Sequence, residues 1–219
     1  NHNDVGHFLL HINGESLLTD MGWGEYTAEY FSEARYDFIC TSSAGHSVPV
    51  VAGQYQRPGK DRKAKVLQIE QGECADILEL DITKTYDVEQ LQSLVRRMEW
   101  WKGQVPRLVL IDTFQWQERE TDQMDRDSGC KENFAMKERF ICMSRPIAIE
   151  DGQLEIVGEQ GNRLYVNYDA EQFVPEVKKL TMRDHYGKWI DYYALDFTMI
   201  TNQKTSVAKF EFVLVAKHE

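Results

Sequence analysis

The sequence predicts an all-β protein, a large antiparallel, supersandwich-like β-sandwich with at most one or two short helices. Three observations predict it. Short apolar segments recur at intervals of roughly 10 residues with turn residues between them, which is the rhythm of a sandwich. Within several segments apolar and polar residues alternate, so one face of each strand is buried and the other meets water. The 219 residues, 42% hydrophobic and 28% charged, suit one domain, 1–219. Folding a chain of that size removes about 70% of its extended surface from water.

At the start, Phe8, Leu10 and Ile12 alternate with His7, Leu9 and His11, which predicts a strand with one apolar face and one face carrying imidazoles. Asn13-Gly14 tolerates the positive φ angles of a tight hairpin, returning the chain through Ser16-Leu17-Leu18 to Asp20. His2 and Asp20 are therefore expected near each other. A short helix is expected from Tyr26 to Arg35, with Thr27 as cap and Glu29 in the first turn. Leu78, Leu80 and Ile82, then Leu108, Leu110 and Asp112, then Ala208, Phe210, Phe212 and Leu214, alternate as half-buried strands. Asp151-Gly152 and Gly161-Asn162 mark turns, and the run from Tyr186 to Phe197 reads as a long strand. Val88, Leu91, Leu94, Val95 and Met98 have helical spacing over 87–101. Residues 116 to 131, polar and acidic, read as a surface loop. Its Asp122, Asp125 and Asp127 miss the register of a calcium-binding loop.

Composition excludes several classes. A net charge of −11 argues against nonspecific nucleic-acid binding and gives no general attraction for polyanions. No apolar run approaches the ~18 residues that cross a bilayer as a helix. Cys40, Cys74, Cys130 and Cys142 are scattered without a CxxC, so they read as free, mostly buried thiols. Ser43 and Ser47 flank His46, yet no nucleophile elbow surrounds either.

His2, Asp20 and His46 are the candidate metal ligands. Their spacings, 18 residues (20 minus 2) and 26 (46 minus 20), are too long for one helix face and suit ligands on successive strands. Imidazoles and a carboxylate suit zinc; the competing reading is ordinary polar residues at strand ends, or a hydrogen-bond cluster without metal. His7 and His11 read as satisfied polar residues sharing a strand face. Arg57, Lys60, Arg62, Lys63 and Lys65 form a basic cluster that could meet sulfate or carboxylate, or could be a solvated hairpin tip. Trp23, Trp100 and Trp101 could face sugar rings or fill the core.

The words His-Asn-Asp at the start, Asn13-Gly14, Asp20 before Gly22-Trp23-Gly24 and Tyr26, Gly-His-Ser around His46, then Gly53 and Gln56, together resemble the heparinase II/III-like family of polysaccharide lyases. The resemblance covers residues 2 to 56 and weakens downstream. It implies a C-terminal β-sandwich in which the matching His2, Asp20 and His46 hold a chiefly structural zinc near the cleft, and a strand pair over 87–101. It also implies a parent enzyme that cleaves uronic-acid-containing glycans by β-elimination. The family pattern His-x-His-x-Asp would place its catalytic imidazole one position before Asn1, so no catalytic residue is expected within this chain. The family's helical toroid would be the partner that presents acidic polysaccharide, and the chain alone is expected to be inactive. Two other classes stay open: a noncatalytic carbohydrate-binding or scaffold sandwich with a structural metal, and an iron enzyme of the double-stranded β-helix kind. Compartment is unreadable, and a homo-oligomer is possible.

Overall fold

A computed structural model describes residues 2–117, 136–200 and 203–217. The strands are β1 (Leu10–Ile12), β2 (Glu15–Leu18), β3 (Val50–Val51), β4 (Lys65–Gln71), β5 (Ala75–Asp81), β6 (Leu91–Trp101) and β7 (Arg107–Trp116). They continue with β8 (Met136–Cys142), β9 (Ile147–Glu150), β10 (Gln153–Val157), β11 (Arg163–Tyr168), β12 (Phe173–Arg183), β13 (Trp189–Met199) and β14 (Thr205–Val215). Eight strands form one sheet in the order β4-β5-β6-β7-β14-β11-β10-β9, and four form a second, β12-β13-β8-β3, with β1-β2 as a separate hairpin. The fold is the antiparallel all-β sandwich that the sequence predicts.

The core follows from period-two alternation. Leu108, Leu110, Phe114 and Trp116 of β7, with Ala208, Phe210, Phe212 and Leu214 of β14, face inward and meet Phe140 and Phe197 of the smaller sheet. The Phe140 ring stands 5.0 to 5.8 Å between centroids from those of Phe197, Phe210 and Phe212, with interplanar angles of 63° to 79°. Edge-to-face geometry there adds about 0.5–1.5 kcal/mol per pair beyond simple burial. Strand β8 is buried on both faces. Phe140 and Cys142 point into this core, whereas Ile141 joins a second cluster with Met21, Tyr30, Cys40, Met182 and Tyr192. The segment after β2 thus lies over the outer face of the four-stranded sheet and carries part of the site with it.

Several local expectations change. Asn13 (φ 48°) and Gly14 (φ 82°) make the hairpin turn as read, but the strand before it begins only at Leu10. His7 and His11 therefore share no strand face. In place of a helix over 26–35 there are two 3-10 turns, Glu29–Phe31 and Glu33–Asp37, the second capped by Ser32, whose hydroxyl accepts from the Ala34 amide. Residues 87–101 hold a single strand, β6, not a strand pair. Its helix-like spacing comes from a bulge between Leu91 and Ser93, which separates buried Leu91 and Leu94 by three positions instead of two. Tyr186 lies in a turn before β13, 90% exposed. Trp116 is a buried residue of β7 and not loop; the rest of the acidic segment from 118 on, with Cys130 and the three aspartates, lies outside the described residues. Cys40 and Cys142 are buried free thiols, while Cys74 is exposed.

Candidate metal centre

Three chain segments converge on the edge of the smaller sheet near Ile141. The Ile141 carbonyl accepts from the Thr19 amide at 2.9 Å, and its own amide donates to Ser47 Oγ at 3.0 Å. That single residue sets Asp20 and His46 side by side. The segment carrying His2 is laid down by Gln56, whose side-chain amide pairs with both backbone groups of Val5, at 2.9 and 2.8 Å, as a neighbouring strand would. Asn3 adds a bond from its amide to the Thr41 carbonyl at 2.8 Å.

His46 is the hub. It is fully buried; among the described residues its Nε2 has no hydrogen-bond partner, and the Asp20 carboxylate is what faces its Nδ1. Asp20 Oδ2 lies 3.0 Å from His46 Nδ1 and 3.4 Å from His7 Nε2, while the Gly22 amide donates to Asp20 Oδ1 at 2.6 Å. The rings of His2 and His7 stand 5.4 and 5.3 Å from that of His46. Two overlapping trios offer ligand atoms within 4.8 Å of one another, His2/Asp4/His46 and His7/Asp20/His46. The structure thus puts His46 in both trios but parts the other two expected ligands among the described residues: His2 groups with Asp4, and Asp20 groups with His7.

Electrostatics keep His2, His7 and Asp20 free of protons at neutral pH. Burial raises the Asp20 carboxyl, but His46, the Gly22 amide and His7 outweigh it and hold the value down at about 2. Burial, then neighbouring His46, lowers His7 to about 4 and also lowers His2. An uncharged imidazole is the form that donates a lone pair to a cation.

A groove of about 560 Å³ opens beside His2, and Arg57, Lys60 and Arg62 share its lining with Asn3 and Asp4. Of the sequence-predicted basic residues, Lys63 is exposed outside that lining. Arg62 is partly occupied: its guanidinium donates to the carbonyls of Lys84 and Tyr86 at 3.0 and 3.1 Å. Trp23 is exposed beside His185, whereas Trp100 packs against the core and Trp101 lies under the Arg107 guanidinium.

Beneath the site lies an ionic cluster that reading the sequence for alternation alone misses. Arg96, Asp112 and Glu138 are all fully buried between the sheets. Arg96 donates to Asp112 from Nε at 3.0 Å and from the NH2 nitrogen at 2.6 Å, and to Glu138 at 3.1 Å. Its other terminal nitrogen donates to the carbonyls of Gly6 and Ser47, each at 2.9 Å. Burial alone would lower the Arg96 pKa, but the two carboxylates raise it, so it stays charged. Burial, and then the Asp112 charge, push the Glu138 pKa well above the usual carboxylate range.

A family model described as Heparinase II/III-like, C-terminal, matches residues 1–174. The chain belongs to that family. No curated protein matches it. Among solved structures, heparan sulfate lyase HepC from Pedobacter heparinus superposes with a TM-score of 0.75 at 16% identity, over 100% of this chain and 31% of its own. A heparinase III gene product gives a TM-score of 0.71 at 12% identity, over 98% of this chain and 30% of its own. A further heparinase III structure gives 0.65 at 16% identity, again over 98% and 30%. The chain spans about a third of the length of these heparinase-family structures, which share its sandwich fold.

Proposed function

We propose that this chain is the C-terminal sandwich of a polysaccharide lyase acting on uronic-acid-containing glycans, of the heparin or heparan sulfate kind. In this reading His2, Asp20 and His46 hold a divalent cation, zinc, at the edge of the substrate cleft. The observation that carries it is His46, fully buried with no hydrogen-bond partner for Nε2 among the described residues, Asp20 facing its Nδ1, and the rings of His2 and His7 against its own. Leaving buried polar atoms unsatisfied costs about 1–3 kcal/mol each, and a cation that takes a lone pair offsets that penalty. Two imidazoles and a carboxylate make the mixed N/O donor set that zinc accepts. Bound there, the ion supplies fixed positive charge and ties together the ends of three loops.

The residues of this chain then act on the sugar by position. Arg57, Lys60 and Arg62 along the groove, with Lys63 beside it, would pair with carboxylate or sulfate groups through charge-assisted hydrogen bonds. In β-elimination a base takes the C5 proton, donors stabilise the enolate-like charge, and an acid protonates the departing 4-linked oxygen. In this reading the base and acid lie outside residues 1–219. The isolated chain is expected to bind glycan and release no unsaturated uronate product.

Equilibrium dialysis of the purified chain against zinc tests the reading. Tight, stoichiometric uptake that His46→Ala abolishes is the expected result. A chain that takes up no zinc, or a His46→Ala variant that takes up as much as the wild type, would sink the metal assignment.

A further inference from the structure

His7 looks like a fourth ligand, standing 3.4 Å from Asp20 with its ring against His46. Its other nitrogen argues otherwise. The Ser47 amide donates to His7 Nδ1 at 2.9 Å, so Nδ1 holds a lone pair. A neutral imidazole has one N–H and one lone pair. Nε2 therefore carries the proton, and while the Ser47 bond lasts it has no lone pair for a cation. What Nε2 can do is present an N–H to Asp20 Oδ2, the carboxylate oxygen that faces His46.

The Ser47 amide is itself held in place. The Ser47 carbonyl accepts from Arg96, and so does the carbonyl of Gly6, the residue before His7. One guanidinium nitrogen thus grips the two segments that must meet for the Ser47–His7 bond to form. Arg96 cannot drift, because Asp112 takes it through two donors and Glu138 through a third contact, all in the closed space between the sheets. An uninterrupted series of contacts runs from the sandwich core to the metal centre.

We infer that His7 orients Asp20 toward the cation without ligating it, and that core-buried Arg96 acts as a positioning residue by holding the carbonyls of Gly6 and Ser47. The inference rests on the zinc reading above. It also explains why two trios overlap in the structure: His7 supports the carboxylate, and His2 is left to complete the ligand set with His46 and Asp20.

Long-range proton–nitrogen correlation spectra of the zinc-loaded wild-type chain give a first test that needs no variant. His7 should show a protonated Nε2 and an aprotic Nδ1, while His2 and His46 each show one nitrogen shifted by metal. Cobalt substitution gives the second. His7→Gln, whose side chain cannot link the Ser47 amide to Asp20 through one rigid ring, and Arg96→Lys, which gives up the fork that holds Gly6 and Ser47, should keep the visible cobalt band of the wild type and weaken zinc binding about 10–100-fold, the usual effect of losing a supporting hydrogen bond. A His7 with both nitrogens aprotic, a cobalt band that loses a nitrogen ligand in His7→Gln, or an unchanged affinity in that variant would overturn the inference while leaving the metal site standing. A wild-type chain that binds no zinc would remove the site and the inference together.

Discussion

Glu138 is a carboxyl group buried between two sheets beside the Arg96–Asp112 pair, its pKa raised first by burial and then by the Asp112 charge. Its linkage to pH has a definite sign. The folded pKa is raised above the ordinary value of 4.5, so above pH 4.5 the unfolded chain gives up a proton that the folded chain keeps. Stability attributable to this group therefore falls as pH rises from 4.5 toward the raised value. Glu138→Gln, neutral at every pH and of the same shape, escapes that loss. Denaturant titrations should find Glu138→Gln at least as stable as wild type at pH 7, with the advantage gone near pH 4; a variant markedly less stable at pH 7 would show that Glu138 is ionised. Asp112→Asn is expected to behave oppositely. It strips Arg96 of its counter-charge in a dry core, a loss of about 3–5 kcal/mol, readable as a lower denaturation midpoint.

At the scale of elements, the short 3-10 turn Ser43–Gly45 delivers His46, and its glycine is required by space. A Cβ on Gly45 would overlap the Ile39 carbonyl oxygen. Gly45→Ala should cost about 1–3 kcal/mol as overpacking against rigid backbone, and should loosen zinc binding with it; calorimetric unfolding and dialysis would check both. This approach cannot be read from the sequence, because Gly45 has a negative φ and sits in no turn signature. Other elements are legible. Alternation in β7 and β14 marks their inward faces, and Asn13-Gly14 marks the hairpin, because both signals are local. The bulge in β6 defeats alternation by shifting its phase, and buried Arg96 interrupts its apolar face. Asp112, in line with Leu108 and Leu110, is the one local hint that charge enters the core. The partners of His7 are hidden, because Ser47 and Asp20 reach it only through tertiary structure, 40 and 13 residues away (47 minus 7, 20 minus 7).

Over the whole molecule, a net charge of −11 surrounds a groove whose lining includes Arg57, Lys60 and Arg62. Attraction of a polyanion must then be short-ranged, within the Debye length of about 8 Å at physiological salt. Reversing Arg57 and Lys60 to Glu should weaken binding of a sulfated oligosaccharide by about 1 kcal/mol or more per residue, while thermal unfolding shifts little because both side chains are exposed. Unchanged binding in an affinity titration would remove the groove as the glycan path.

Ile141, inside β8, touches both the loop bearing Asp20 and the loop bearing His46, while the opposite face of the same strand is packed in the aromatic core. Under the proposed metal reading, residues 2, 20 and 46 come together only on the assembled chain, and high affinity for the ion emerges once both layers have closed. Metal retention becomes a gauge of global assembly. In a denaturant ramp, ion release and loss of near-ultraviolet dichroism should trace one shared transition, and an ion that departs well before the aromatic signal would mean the loops can open while the layers stay shut.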